Sequence, residues 1–120
     1  MEDLRQQQKE ALQALSEYSP RLIRAMKNVV EELRGNRQPD TNEYLQGVVN
    51  GMNWEIEVFN RTRDYINEDQ VRIDKDKSNE VILAFNDAYQ KKDDAKMAEL
   101  LDGEVLTFFE RLEAAAKELA

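Results

Sequence analysis

The chain contains no cysteine and no histidine. Without cysteine there is no disulfide, no thiolate metal site and no thiol nucleophile. Without histidine the commonest general base, the commonest metal ligand and the side chain that titrates nearest neutrality are all missing. No apolar run approaches the roughly 20 residues needed to cross a bilayer. The opening MEDLRQQQKEALQAL carries acids and glutamines where a secretory leader needs basic residues followed by an apolar stretch. The expected location is therefore the cytoplasm, and no membrane partner is expected. Asn60-Arg61-Thr62 matches a glycosylation acceptor, which without a leader is read as chance. Glycine (four), proline (two) and tryptophan (one) are scarce enough that each position carries information.

What is present is charge and helical spacing. The 120 residues carry a formal net charge of -8. Nucleic-acid binding needs cations that displace counterions from phosphates. The short basic runs here are answered locally: Lys91-Lys92 by Asp93-Asp94, and Arg21, Arg24 and Lys27 by Glu31 and Glu32 one turn on. No nucleic-acid partner is expected. A chain of this length hides roughly two thirds of its unfolded surface on folding, enough for one core without staples. Residues 1–120 are read as a single helical-bundle domain.

Apolar residues recur at helical spacing almost throughout. Leu4, Ala11, Leu15 and Tyr18 make one stripe, and Leu22, Ile23, Met26, Val29, Val30 and Leu33 a second. Ser19-Pro20 lies between them. Serine caps helices well and proline suits a first turn, so the first long helix either splits or kinks at Pro20. Gly35 provides a C-terminal stop. In the loop NRQPDTNE, Asp40 or Thr41 can cap the next helix, and Asp40 to Glu43 has capping-box spacing. That helix is predicted to run to about Asn67. A further helix covers about 76–91, with Val81, Ile82, Phe85, Ala88 and Tyr89 on one face. After a turn at KKDD, with Asp93 as a cap, a last stretch spans about 94–118. Gly103 breaks or bends it, because unbroken phasing would place Glu104 on the core face. Short links between amphipathic helices favour antiparallel neighbours. The expected fold is all-α, an antiparallel up-and-down bundle of four long helices.

The helix at 43–67 is unusual. On a 100° wheel, Leu45, Val48, Val49, Met52, Ile56, Phe59 and Ile66 form its main stripe, with Arg63 falling within it. Nearly opposite lie Gly47, Gly51, Trp54, Val58 and Tyr65. Each glycine costs about 1 kcal/mol against alanine inside a helix, so something should offset it. One account has another helix crossing closely over the glycines, with Trp54 as core beside them. Another has Gly47, Gly51, Trp54, Val58 and Tyr65 flooring an exposed groove for an amphipathic segment, from a partner or a second copy, and a third makes the glycines a hinge. Asn53, Asn60 and Asn67, spaced by sevens, form a polar row along the apolar edge that either bonds a neighbouring helix or pairs with a bound peptide. Arg63 either lays its stem along the core or pairs with Glu55 or a carboxylate of another helix.

Two chemical signatures nearly match and fail. DKDKSNEVILAF places Asp74, Asp76 and Ser78 at calcium-loop positions one, three and five. Asn79 stands where glycine is needed and Phe85 where a bidentate glutamate is needed, so the segment reads as a helix-capping turn. Glu99-x-x-Asp102 and Glu110-x-x-Glu113 have the spacing of carboxylate metal sites in bundles, but so acidic a chain produces such pairs freely. There is no glycine-rich phosphate loop and no recognisable nucleophile setting. The chain is read as a non-enzyme without cofactor or evident small-molecule substrate.

The segments ALSEYSPRLIRAMKNVVEEL, GMNWEIEVFNRTRDYINE and LAFNDAYQKKDDAKMAELLDGEVLTFFERLE resemble a group of small acidic all-helical proteins of Gram-positive bacteria without assigned activity. In size, acidity and bundle form the chain is also similar to flagellar export chaperones. That resemblance implies a groove that holds the apolar helical end of a partner. The expectation is a small cytoplasmic protein-binding module, chaperone-like or adaptor-like, capturing an amphipathic helix through Gly47, Gly51, Trp54, Val58, Tyr65, Asn53 and Asn60. The alternatives are a homo-oligomer built on the same surface and a carboxylate metalloenzyme.

Overall fold

The structure, a computed structural model, describes residues 3–120. Met1 and Glu2, part of the opening read above for a leader, lie outside the described residues. Five helices account for most of the chain: α1 Leu4–Leu33, α2 Thr41–Ile66, α3 Lys75–Gln90, α4 Asp94–Leu101 and α5 Glu104–Leu119. No strand occurs among the described residues, so the fold is all-α.

Asp3 starts α1 by accepting the Arg5 N–H, and the helix then runs without interruption through Pro20. The expected alternative of a split at Pro20 is thereby corrected. An interior proline removes one ladder hydrogen bond, at about 3 kcal/mol. Pro20 is exposed, so water can reach the carbonyl it leaves free. Ser19 is likewise no cap: it is fully buried in mid-helix. The packed stripe is Leu12, Leu15, Ser19, Leu22, Met26, Val29 and Leu33, a regular three-four alternation. Leu4, expected on that stripe, is exposed.

Gly35 adopts φ 107°, the left-handed stop expected after α1. The start of α2 differs from expectation. Asp40 makes no side-chain cap, and Thr41 is buried, donating to Glu32 at 2.7 Å and accepting the Gln38 N–H at 2.7 Å. Its hydroxyl ties the loop to α1 rather than capping α2. Asp74 and Asp93 do cap α3 and α4. Gly103 separates α4 from α5, and the break leaves Glu104 exposed while Val105, Phe108, Phe109 and Leu112 turn inward.

Contacts fix the course of the seam that matters below. Arg5 meets Glu68, Ser19 meets Glu55 and Glu32 meets Thr41. Residue numbers rise on one helix as they fall on the other, so α1 and α2 run in opposite directions along their length. α1 also packs on α4 and α5, and α3 on the same pair. No Cα of α2 comes within 8 Å of one in α3. These two helices are held apart by side chains such as Phe85 and Tyr89, whose hydroxyl donates to Gln46 at 2.7 Å. No described helix is long and apolar enough to cross a membrane.

Candidate functional site: the seam between α1 and α2

The two glycines of α2, one helical turn apart, have different surroundings. A Cβ built on Gly51 would collide with the Tyr18 hydroxyl and come within 3.1 Å of Leu22 Cδ1 and 3.2 Å of Tyr18 Cζ. Gly51 is buried because α1 lays Tyr18 across it. This is the close crossing that offsets the helical cost of a glycine. A Cβ on Gly47 would meet nothing within 4 Å. Its stretch of backbone is open to solvent.

Trp54 lies between these two environments. It is 40% exposed. Its ring meets that of Tyr18 edge to face, with centroids 5.6 Å apart. Such a contact contributes about 0.5–1.5 kcal/mol beyond area burial. Tyr18, Gly47, Asn50, Gly51 and Trp54 line one shallow open depression of about 460 Å³. Tyr18 and Asn50 were not among the residues expected from the sequence. Tyr18 enters from α1, and only the register between the two helices brings it there.

The other expected groove residues fall elsewhere. Val58 is 5% exposed and faces the core. Tyr65 is also buried: its hydroxyl donates to the Leu119 carbonyl at 2.9 Å, and the Arg5 guanidinium sits 4.0 Å above its ring while pairing with Glu68. Both are corrected from exposed anchors to interior packing. Asn53 is exposed on the opposite side of α2, beside the narrow gap to α3 and α5. Asn60 is exposed. Asn67 closes the following loop, accepting the Arg72 and Ile73 N–H groups and donating to the Ile73 carbonyl. The expected groove therefore reduces to Gly47, Gly51 and Trp54, joined by Tyr18 and Asn50.

Beneath this surface lies Glu55, which the sequence reading named only as a partner for Arg63. Glu55 is 0% exposed. One carboxyl oxygen accepts from the Ser19 hydroxyl at 2.9 Å, and the other, Oε1, has no hydrogen-bonding partner among the described residues. Burial pushes the Glu55 carboxyl up to about 7; the Ser19 hydrogen bond opposes this, and the like charge of Glu113 adds to it. The signal was in the spacing. Val48, Met52, Glu55, Phe59, Thr62 and Ile66 follow a four-three alternation, so Glu55 occupies a seam position between apolar residues. Ser19 occupies the matching position on α1. Arg63, a conceivable partner, makes no ion pair with Glu55; Ser19 holds that place.

Of the carboxylates singled out in the sequence, Glu99 pairs with Lys96, Asp102 with Arg34 and Glu113 with Lys117. Among the described residues, no three acidic side chains converge where they could hold a metal ion. Asp74 spends its carboxylate on the Asp76 and Lys77 N–H groups, and Ser78 donates to the Asp74 carbonyl.

A family model described as a domain of unknown function (DUF8042) matches residues 10–115. The chain belongs to the DUF8042 family. The match spans all five helices in whole or in large part, including both sides of the α1–α2 seam. It agrees with the resemblance to proteins without assigned activity. No curated protein and no solved structure matches the chain.

Proposed function

We propose that this DUF8042 protein is a small protein-binding module of the cytoplasm, adaptor-like or chaperone-like. It takes an amphipathic helical segment of a partner protein onto the depression between α1 and α2. One observation carries the reading: Gly47 lies bare in mid-helix with nothing above it. At Gly51 the same helical penalty is offset within the chain; at Gly47 no described residue comes within 4 Å of an added Cβ. A bare backbone flanked by an exposed indole and a tyrosine admits close approach of a second helix, with Trp54 as the aromatic anchor. Asn50 supplies a polar contact at the rim. The net charge of -8 favours a partner segment with basic flanks.

The test uses basic amphipathic helical peptides selected for binding to the wild-type chain. Trp54→Ala and Gly47→Leu are expected to keep the fold and to weaken the selected peptides at least tenfold. Equal binding to both folded variants would remove this surface. Light scattering at high protein concentration separates the competing occupant. A dimer abolished by Gly47→Leu would assign the surface to a second copy of the chain.

A further inference from the structure

The exposed pair and the buried pair are adjacent in both helices. Tyr18 precedes Ser19 on α1, and Trp54 precedes Glu55 on α2. The Tyr18–Trp54 contact at the surface is thus bonded through consecutive residues to the Ser19–Glu55 contact inside. We propose that the Ser19–Glu55 pair is a proton-operated latch. With Glu55 protonated, Tyr18 stays seated on Gly51 and Trp54. Ionised Glu55 draws water through the seam, unseats Tyr18 and widens the surface around Trp54.

The groups facing Glu55 explain the direction. From α1 it meets the neutral Ser19 hydroxyl, with the Tyr18 phenol above. From α5 it feels Glu113, a like charge, itself 3.8 Å from Lys117. Within α2 the nearby Thr62 hydroxyl is already committed to the Val58 carbonyl at 2.7 Å. No cation is paired with Glu55 among the described residues, and Oε1 has no donor. A buried carboxylate with one hydrogen bond and no counter-charge must either keep its proton or gain water. The route we assign to water runs past Tyr18. The lid over Gly51 is the hydroxyl end of the Tyr18 side chain, and the Gly47–Trp54 depression beside it is open to solvent. On the α5 side the approach leads past Glu113, whose charge opposes ionisation.

The effect on partner binding rests on the reading of the Trp54 surface above; the latch itself does not, and it is tested without any partner. Trp54 is the sole tryptophan, so its fluorescence reports the seam directly. Acrylamide quenching of Trp54 in the wild-type chain is expected to rise about twofold from pH 5.5 to 8.5. Glu55→Gln is expected to hold the acidic value throughout. Glu113→Gln, which removes the like charge, should shift the midpoint to lower pH, and it serves if Glu55→Gln does not fold. A wild-type chain with flat quenching would overturn the latch. So would a Glu55→Gln chain that keeps the wild-type rise, or a midpoint unmoved in Glu113→Gln. Peptide binding that fails while quenching still follows pH would remove the docking reading and leave the latch standing.

Discussion

Gly47 and Gly51 divide the α1–α2 seam into an open row and a closed row. In the closed row, Gly51 and Glu55 meet Tyr18, Leu22 and Ser19, and every side chain is constrained by another. In the open row, Gly47, Asn50 and Trp54 border solvent. The same residue type one turn apart carries the same propensity cost, about 1 kcal/mol. Only in the closed row does the fold itself account for it. Propensity alone cannot tell a packing glycine from a docking glycine. The distinction lies in what a Cβ would touch. Substitutions should therefore divide the rows: changes in the closed row cost stability, and changes in the open row alter binding whatever they do to stability.

The largest effect is expected at Gly51. Gly51→Leu forces side-chain atoms into Tyr18 and Leu22 and should cost about 3 kcal/mol. Urea unfolding would show a lower midpoint at unchanged slope. A loss below 1 kcal/mol would mean that Tyr18 yields freely and that the closed row is not closed.

Glu55 gives an effect of similar size that depends on pH. Its folded pKa is raised from 4.5 to about 7, so the folded chain binds this proton more tightly than the unfolded chain. Its contribution is therefore fully present below pH 4.5, is lost as pH rises towards 7, and stays lost above that. The difference amounts to about 3 kcal/mol. Glu55→Gln resembles the protonated form. It should match wild type near pH 4, exceed it by about that amount at pH 8, and flatten the profile between. Parallel profiles in thermal unfolding would count against the buried ionisation. Arg37 and Arg5 hold the Asp94 and Glu68 carboxyls below their ordinary values, so their contribution runs the other way and disappears only in acid.

Trp54 belongs to both rows and should show a mixed response. Trp54→Ala loses the edge-to-face contact with Tyr18 and the buried part of the indole, about 2 kcal/mol. The chain should still fold, with near-native helix content by circular dichroism.

The helices were legible in the sequence because each buries one face of an amphipathic pattern. The breaks at Gly35 and Gly103 and the cap at Asp93 were legible because few residues do those jobs. Other features depended on information that no single helix contains. Tyr18 reads as ordinary stripe material until the register with α2 sets it over Gly51. Asn53 and Trp54 are neighbours in sequence but face different helices, and a wheel gives angles without naming the neighbours. Val58 and Tyr65 share the angular sector of Gly47, yet both are buried, Tyr65 beneath Arg5 and against the end of α5, while Gly47 is left open. Ser19 and Glu55 both occupied seam positions by spacing. Ser19 was read as a cap because it precedes proline, and Glu55 was weighed only as an ionic partner for Arg63. The polar residue at an apolar position carried the information.

The smallest stability change is the most telling for the open row. Gly47→Ala adds a methyl group where nothing lies within 4 Å and removes a glycine from mid-helix. It should stabilise the chain by about 1 kcal/mol, through helix propensity and a less flexible unfolded state. A residue whose simplest replacement improves the fold is not held there by the fold. If Gly47→Ala also weakens the selected peptides, the bare backbone is a contact surface, because one methyl group acts only by keeping a second helix at a distance. If it stabilises the chain and leaves binding unchanged, close backbone approach at Gly47 is not used, and docking must rest on Trp54 and Tyr18 alone. Pairing its urea midpoint with its peptide affinity gives two signs from one atom, and opposite signs are what the open row requires.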